Sequence, residues 1–127
     1  MRAIDTNVLV RFLTRDDPRQ GQKAQALIEG GDIFVPTTVL LEAEWVLRSA
    51  YALPRADVVG ALRLFAGLPG VRLEAPEIAA QALAWADGGM DFADALHVAA
   101  SRHCDSFRTF DARLLRGAPD GVQILEP

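Results

Sequence analysis

One cysteine among 127 residues, Cys104, leaves no internal disulfide to form and no paired-cysteine zinc site to build. A reducing cytoplasm is the expected setting. Only His103 neighbours Cys104 as a base, and its side chain points elsewhere, so a buried, inert thiol is expected. His97 and His103 stand six apart on one helical stretch and cannot share a face as a metal pair; both read as structural or surface residues. Long apolar runs are missing too. The longest, Ala82 to Ala86, has five residues, against roughly 20 for a membrane span. Asp5 interrupts the apolar stretch at the N-terminus, so no signal peptide is expected. Neither a Gly-x-x-x-x-Gly-Lys loop nor Gly-x-Gly-x-x-Gly occurs, which removes support for nucleotide cofactors. Lysine is reduced to Lys23 alone.

What is present suits one domain spanning residues 1–127. Half the residues are apolar and 24% are charged, a composition that builds a core. The formal charge of −4 would ordinarily argue against a nucleic-acid partner. The basic residues are skewed, however, with 12 arginines to one lysine. That skew suits planar recognition of phosphate, and it fits genome base composition equally well.

Gly and Pro divide the chain into short units with no repeat or linker. Arg2 to Asp5 reads as a short buried strand, Asp5-Thr6-Asn7 as a polar break, and Val8 to Leu13 as a short helix. A helix follows over Arg19 to Glu29, with Ala24, Leu27 and Ile28 on one face. Ile33 to Val35 reads as a strand. Pro36 starts a helix to about Tyr51, with an apolar stripe of Val39, Ala43, Val46 and Ala50 and with Leu40 and Leu47 alongside. Another helix follows Pro54 through Val58, Val59, Leu62 and Phe65. Val71 to Leu73 is a strand, Pro76 to Ala86 a helix, and Asp91 opens a helix to about His103. Ser106 to Thr109, Ala112 to Leu115 and Val122 to Leu125 complete the pattern as strand, helix and strand. Strands alternating with helices predict an α/β fold, its mainly parallel sheet covered on both faces. Ligands of such sheets sit beyond the carboxyl ends of the strands.

Four acids stand where that rule places chemistry. Asp5 closes the first strand and Asp111 follows the fourth. Glu42 lies between Leu40-Leu41 and Trp45-Val46, and Asp94 between Phe92-Ala93 and Ala95-Leu96. A carboxylate in apolar surroundings is costly unless paired or metal-bound, and no Lys or Arg lies three or four residues from Glu42 or Asp94. Clustered carboxylates also repel one another. A divalent cation relieves both problems, and Mg²⁺ prefers hard oxygen ligands with water and phosphate. An acidic Mg²⁺ or Mn²⁺ pocket is therefore expected, and zinc is disfavoured. Plainer roles stand beside each acid. Asp5 fits an Asx turn, Glu42 a solvated helix edge, Asp91 and Asp94 a capping box, and Asp111 a helix cap. For Asp91 the cap is the leading reading.

At these residues the chain resembles a known family. Met1-Arg-Ala-Ile-Asp-Thr-Asn-Val-Leu-Val-Arg resembles the opening of PIN-domain nucleases, and above all of the VapC-type toxins of bacterial toxin–antitoxin pairs. Pro36-Thr-Thr-Val-Leu-Leu-Glu-Ala-Glu-Trp-Val-Leu resembles the family's glutamate helix. Asp91-Phe-Ala-Asp-Ala-Leu-His-Val-Ala-Ala resembles its second acidic helix, and Thr109-Phe-Asp its strand-end acid. The four blocks run in the family's order over nearly the whole chain. The resemblance implies a PIN-like three-layer sandwich with about five short strands. It implies that Asp5, Glu42, Asp94 and Asp111 bind metal, Glu42 directly or through water, with Asp91 a lesser candidate and Thr6, Asn7 and Thr109 in support. Glu44 lies roughly 200° around the helix from Glu42 and is not expected to replace it.

The resemblance further implies an endoribonuclease using one or two Mg²⁺ or Mn²⁺ ions, in which metal-activated water attacks the RNA phosphorus. It implies a homodimer neutralised by a cognate antitoxin, with operator DNA reached only through that antitoxin. Arg11, Arg15, Arg108 and Arg113 lie near the strand-end acids and are the candidates for RNA phosphate contacts. Two competing readings remain open at this point. One is a non-catalytic module that binds RNA or a partner. The other is a haloacid-dehalogenase-type phosphatase, which Asn7 argues against, because that chemistry uses a second Asp at this position.

Overall fold

Aspartate side chains cap the N-termini of four of the helices and fix where each begins. The computed structural model describes residues 1–127, which fold as two compact units, Met1–Pro76 and Glu77–Pro127.

The first unit runs β1 (Arg2–Ala3), α1 (Thr6–Thr14), α2 (Pro18–Glu29), β2 (Ile33–Val35), α3 (Thr37–Ser49), α4 (Arg55–Ala66) and β3 (Val71–Leu73). Its strands pair in parallel in the order β1-β2-β3, with Arg2 opposite Ile33 and Phe34 opposite Arg72. Parallel neighbours need long crossovers, and the helices between them supply these.

Local chemistry moves one boundary from its expected place. Asp5 accepts a hydrogen bond from the Val8 N–H (3.0 Å). That satisfies an orphan amide of the first turn, so the helix starts at Thr6 and the expected polar break becomes helix. Of the four residues read as a buried strand, only Ile4 is buried; Arg2, Ala3 and Asp5 are exposed, and β1 itself covers Arg2 and Ala3 alone. The Arg2 guanidinium folds back onto the Gly31 carbonyl (2.6 Å). One backbone approach demands glycine outright. A Cβ on Gly70 would stand 2.5 Å from the Gly31 Cα.

The helix stripes place the core. α1 packs on α2 and on α3, and α3 packs on α4. Leu9, Ile28, Ile33, Val35, Leu40, Leu47, Val58, Leu62 and Phe65 are buried, and Phe12 meets Phe65 edge to face at 5.8 Å. On α3 the buried stripe is Leu40, Ala43, Glu44 and Leu47. Val39 and Val46 are only half-buried and Ala50 is exposed, so the stripe is rotated from the expected one and carries an acid.

The second unit contains α5 (Pro76–Asp87, starting at the boundary), α6 (Phe92–Ala100), β4 (Phe107–Arg108), α7 (Ala112–Arg116) and β5 (Ile124–Leu125). β4 and β5 pair in parallel, Phe107 opposite Ile124. Val98, Leu114 and Ile124 form a buried cluster flanked by Trp85, Met90, Phe107, Leu115 and Val122. α6 stops at Ala100, three residues short of the expected end, and a turn follows. Cys104 therefore lies beyond the helix and is exposed, which corrects the expectation of a buried thiol. His97 and His103 are exposed.

Seven helices and five short strands, every strand pair parallel, make this an α/β chain, as the alternating pattern predicts. No helix is long and apolar enough to cross a membrane.

Candidate metal centre

In the first unit, Asp5 follows β1 and caps α1, leaving its second carboxylate oxygen outside the cap. The next residue, Thr6, is buried, and its hydroxyl donates to the Glu42 Oε1 on α3. A single side chain thus ties the start of α1 to the glutamate helix and sets the direction of an otherwise exposed Glu42.

The buried acid of α3 is the other glutamate. Glu44 is 2% exposed, and Arg48, one turn later, binds both its oxygens through Nε and Nη2 (3.1 Å for the latter). Residues two apart on a helix differ by about 200° in direction, so Glu42 faces out where Glu44 faces in. Sequence reasoning passed over this ion pair, although its i, i+4 spacing was the available signal.

Asn7 is exposed and lines, with Asp5, a cavity of about 340 Å³ beside α1 and α2. Of the arginines proposed to meet RNA, Arg11 is committed within the fold. Its Nη1 pairs with Asp16 (3.0 and 3.2 Å) and donates to the Tyr51 hydroxyl (3.0 Å), and its Nε donates to Gln20 (2.7 Å). The Tyr51 hydroxyl bond, followed by that of Thr14 and the Arg11 charge, holds the Asp16 carboxyl below the usual carboxylate range. Arg15 is exposed at the left-handed cap of α1, its guanidinium 5.8 Å from the centre of the Phe12 ring.

In the second unit, Asp91 caps α6 by accepting from the Asp94 N–H (3.1 Å). Asp111 caps α7, accepting from the N–H groups of Arg113 and Leu114 (2.8 and 3.3 Å). Its own N–H donates to the Thr109 hydroxyl oxygen (3.0 Å), so Thr109 fixes the turn that presents it. Asp94 is half-buried. Burial first, then the charges of Asp91 and Asp111, push its carboxyl above the ordinary range, with His97 and Arg113 pulling the other way. Arg108 is held by Ser106 and the Glu126 carbonyl (3.0 and 2.8 Å), whereas the exposed Arg113 is in no ion pair.

Neither unit draws three His, Cys, Asp or Glu side chains close enough to enclose an ion. The donor chemistry still fits a hard divalent cation. Asp91, Asp94 and Asp111 offer only oxygen, and Asp94 feels the repulsion of the other two. Mg²⁺ needs only one or two carboxylates and completes its shell with water and phosphate.

A family model described as PIN domain matches residues 3–118, a span that includes all the candidate acids. No curated protein matches the chain.

Proposed function

The chain belongs to the PIN domain family, and from that premise we propose that it is a Mg²⁺- or Mn²⁺-dependent endoribonuclease acting as the toxin of a toxin–antitoxin pair. The family gives it a nuclease-type fold. The observation that carries the metal dependence is the setting of Asp94. It is half-buried, Asp91 and Asp111 add like charge that His97 and Arg113 offset only in part, and none of the three acids forms an ion pair.

Asp94 and Asp111 in one unit, and Asp5 and Glu42 in the other, are the proposed metal-binding acids, with Asp91 in a lesser role. A bound divalent ion supplies an activated water and neutralises charge on the phosphate and leaving oxygens. The chain's own residues orient the ligands. Val8 N–H occupies one oxygen of Asp5 and so fixes the other. Thr6 directs Glu42. Thr109 and the first amides of α7 hold Asp111. Arg113, exposed and in no ion pair, is the arginine best placed to meet a phosphate oxygen near Asp94 and Asp111. We propose the remaining properties on the same footing: action in the cytoplasm, a homodimeric state, and inhibition by a cognate antitoxin that alone contacts operator DNA.

The test is cleavage of a mixed RNA pool by purified protein with and without Mg²⁺. Asp5→Asn and Asp94→Asn are each expected to lower the rate at least about 100-fold, with an unchanged circular dichroism spectrum. Full activity in either variant removes that residue from the reaction. Metal-independent cleavage ends the proposal.

A further inference from the structure

The cavity beside Asp5 has a composition that metal binding does not explain. Its α2 wall is Gln20, Lys23, Ala24 and Leu27, spaced i, i+3, i+4 and i+7, which is one face of a helix. The chain's only lysine stands on that face. From α1 come Asn7, Val8 and Arg11, and Asp5 stands at the helix start. At about 340 Å³ the cavity falls in the range of small-molecule sites. Val8, Ala24 and Leu27 are its apolar lining, and the other lining residues are polar or charged.

Those polar groups differ in availability. The Arg11 Nε and Nη1 are engaged by Gln20, Asp16 and Tyr51, and its charge is already paired with Asp16. The Gln20 carbonyl oxygen accepts from Arg11, which leaves its amide nitrogen to donate. Lys23 is exposed and forms no ion pair, and the Asn7 side chain has no hydrogen-bond partner. An apolar slot with two amides and one unspent ammonium matches a nucleotide: a flat base with polar edges, joined to a phosphate. A base can enter only if it is unstacked, which points to single-stranded RNA.

We infer that this cavity is a nucleotide subsite, seating one base of single-stranded RNA against Val8, Ala24 and Leu27, with Asn7 and Gln20 at the base edge and Lys23 on a phosphate. The inference rests on the nuclease reading, because Asp5 in its wall is one of the proposed metal-binding acids. The subsite gives the chain a means of preferring one base beside the cut. The amides carry that discrimination, while the lysine adds affinity that is blind to sequence.

The experiment uses the Asp94→Asn protein in millimolar Mg²⁺, so that RNA persists, with a set of single-stranded RNA tetramers as probes. Methyl resonances of Val8, Ala24 and Leu27 are expected to shift saturably, and more strongly for some base compositions than for others. Lys23→Gln is expected to weaken all tetramers alike and to lower the salt slope of binding by about 1. In the otherwise wild-type protein, Leu27→Trp fills the slot and is expected to flatten the base preference mapped at cut ends. Methyl shifts confined to other residues overturn the subsite, as does a Lys23→Gln protein with unchanged affinity and salt slope. If the wild-type protein still cleaves RNA, the nuclease reading survives that loss. Shifts at these three methyls in a chain whose wild-type form cleaves no RNA in Mg²⁺ or Mn²⁺ overturn the nuclease reading and leave the subsite standing.

Discussion

Glu44 and Asp94 are both carboxylates withdrawn from solvent, one in each unit, and only the first is held in an ion pair within its own helix. Glu44 is almost fully buried and has Arg48 one turn away, bound to both its oxygens. Asp94 is half-buried among like charges, and burial and the charges of Asp91 and Asp111 raise its pKa. An acid with its cation on the same helix is part of the scaffold. An acid crowded by other acids marks a place where positive charge from outside is favoured. In the first unit the same contrast separates Glu44 from Glu42, which receives only the Thr6 hydroxyl.

The sharpest way to break this comparison is to strip Glu44 of its partner. Arg48→Met leaves a charge buried and is expected to cost about 3 kcal/mol in a denaturant titration. Replacing both residues with apolar ones of similar size is expected to recover most of that loss. A single variant as stable as the wild type would show that Glu44 does not depend on its cation.

Asp94 is expected to respond in the opposite sense. Its raised pKa means that the folded chain takes up a proton before the unfolded chain does. The stability linked to protonated Asp94 is therefore complete below the ordinary carboxylate value, about 3.9, and is lost as pH rises through the higher folded value. Asp94→Asn is expected to raise Tm at neutral pH and to leave it unchanged in acid. Mg²⁺ at ten times its dissociation constant is expected to stabilise the wild-type protein by about 1.4 kcal/mol and the Asn variant by much less. A neutral-pH Tm that falls on substitution would sink the account of Asp94 as a strained acid.

A smaller effect sharpens the picture of the first unit. Tyr51 is the largest cause of the low Asp16 pKa. The stability this gives is present above the ordinary carboxylate value and is lost as pH falls through the lowered one. Tyr51→Phe is expected to bring acid unfolding to a higher pH and to change little at pH 7. The smallest effect belongs to Phe110, which is 84% exposed beside Asp111. Phe110→Ala is expected to shift stability by no more than about 0.5 kcal/mol in thermal unfolding.

Much of the architecture was legible from periodicity. The stripe Val58, Val59, Leu62 and Phe65 of α4 is buried as read, and β3 has the expected bounds. Punctuation worked where Pro or Gly stood at a boundary, as at Pro54 and Gly88-Gly89. It failed where a side chain overrode it. Asp5 extends α1 back to Thr6 through one hydrogen bond to an amide, and nothing in the residue string ranks that bond above a turn. On α3 the choice between Val46 and Glu44 for the interior turned on an ion pair, because an apolar stripe alone disfavours the glutamate.

The order of residues by itself determined that strands and helices alternate, that Asp5 and Asp111 follow strands, and that Asp91 and Asp94 open a helix. Those features depend on near neighbours along the chain, whose spacing a linear reading can count. Only the tertiary structure decided that Glu42 meets Thr6, that Glu44 goes inside, that Cys104 stays outside, and that Lys23 and Leu27 share a cavity with Asp5. Each of these depends on groups from different elements, or on which face of a helix is covered. Burial and hydrogen-bond partners of that kind exist only once the chain has packed.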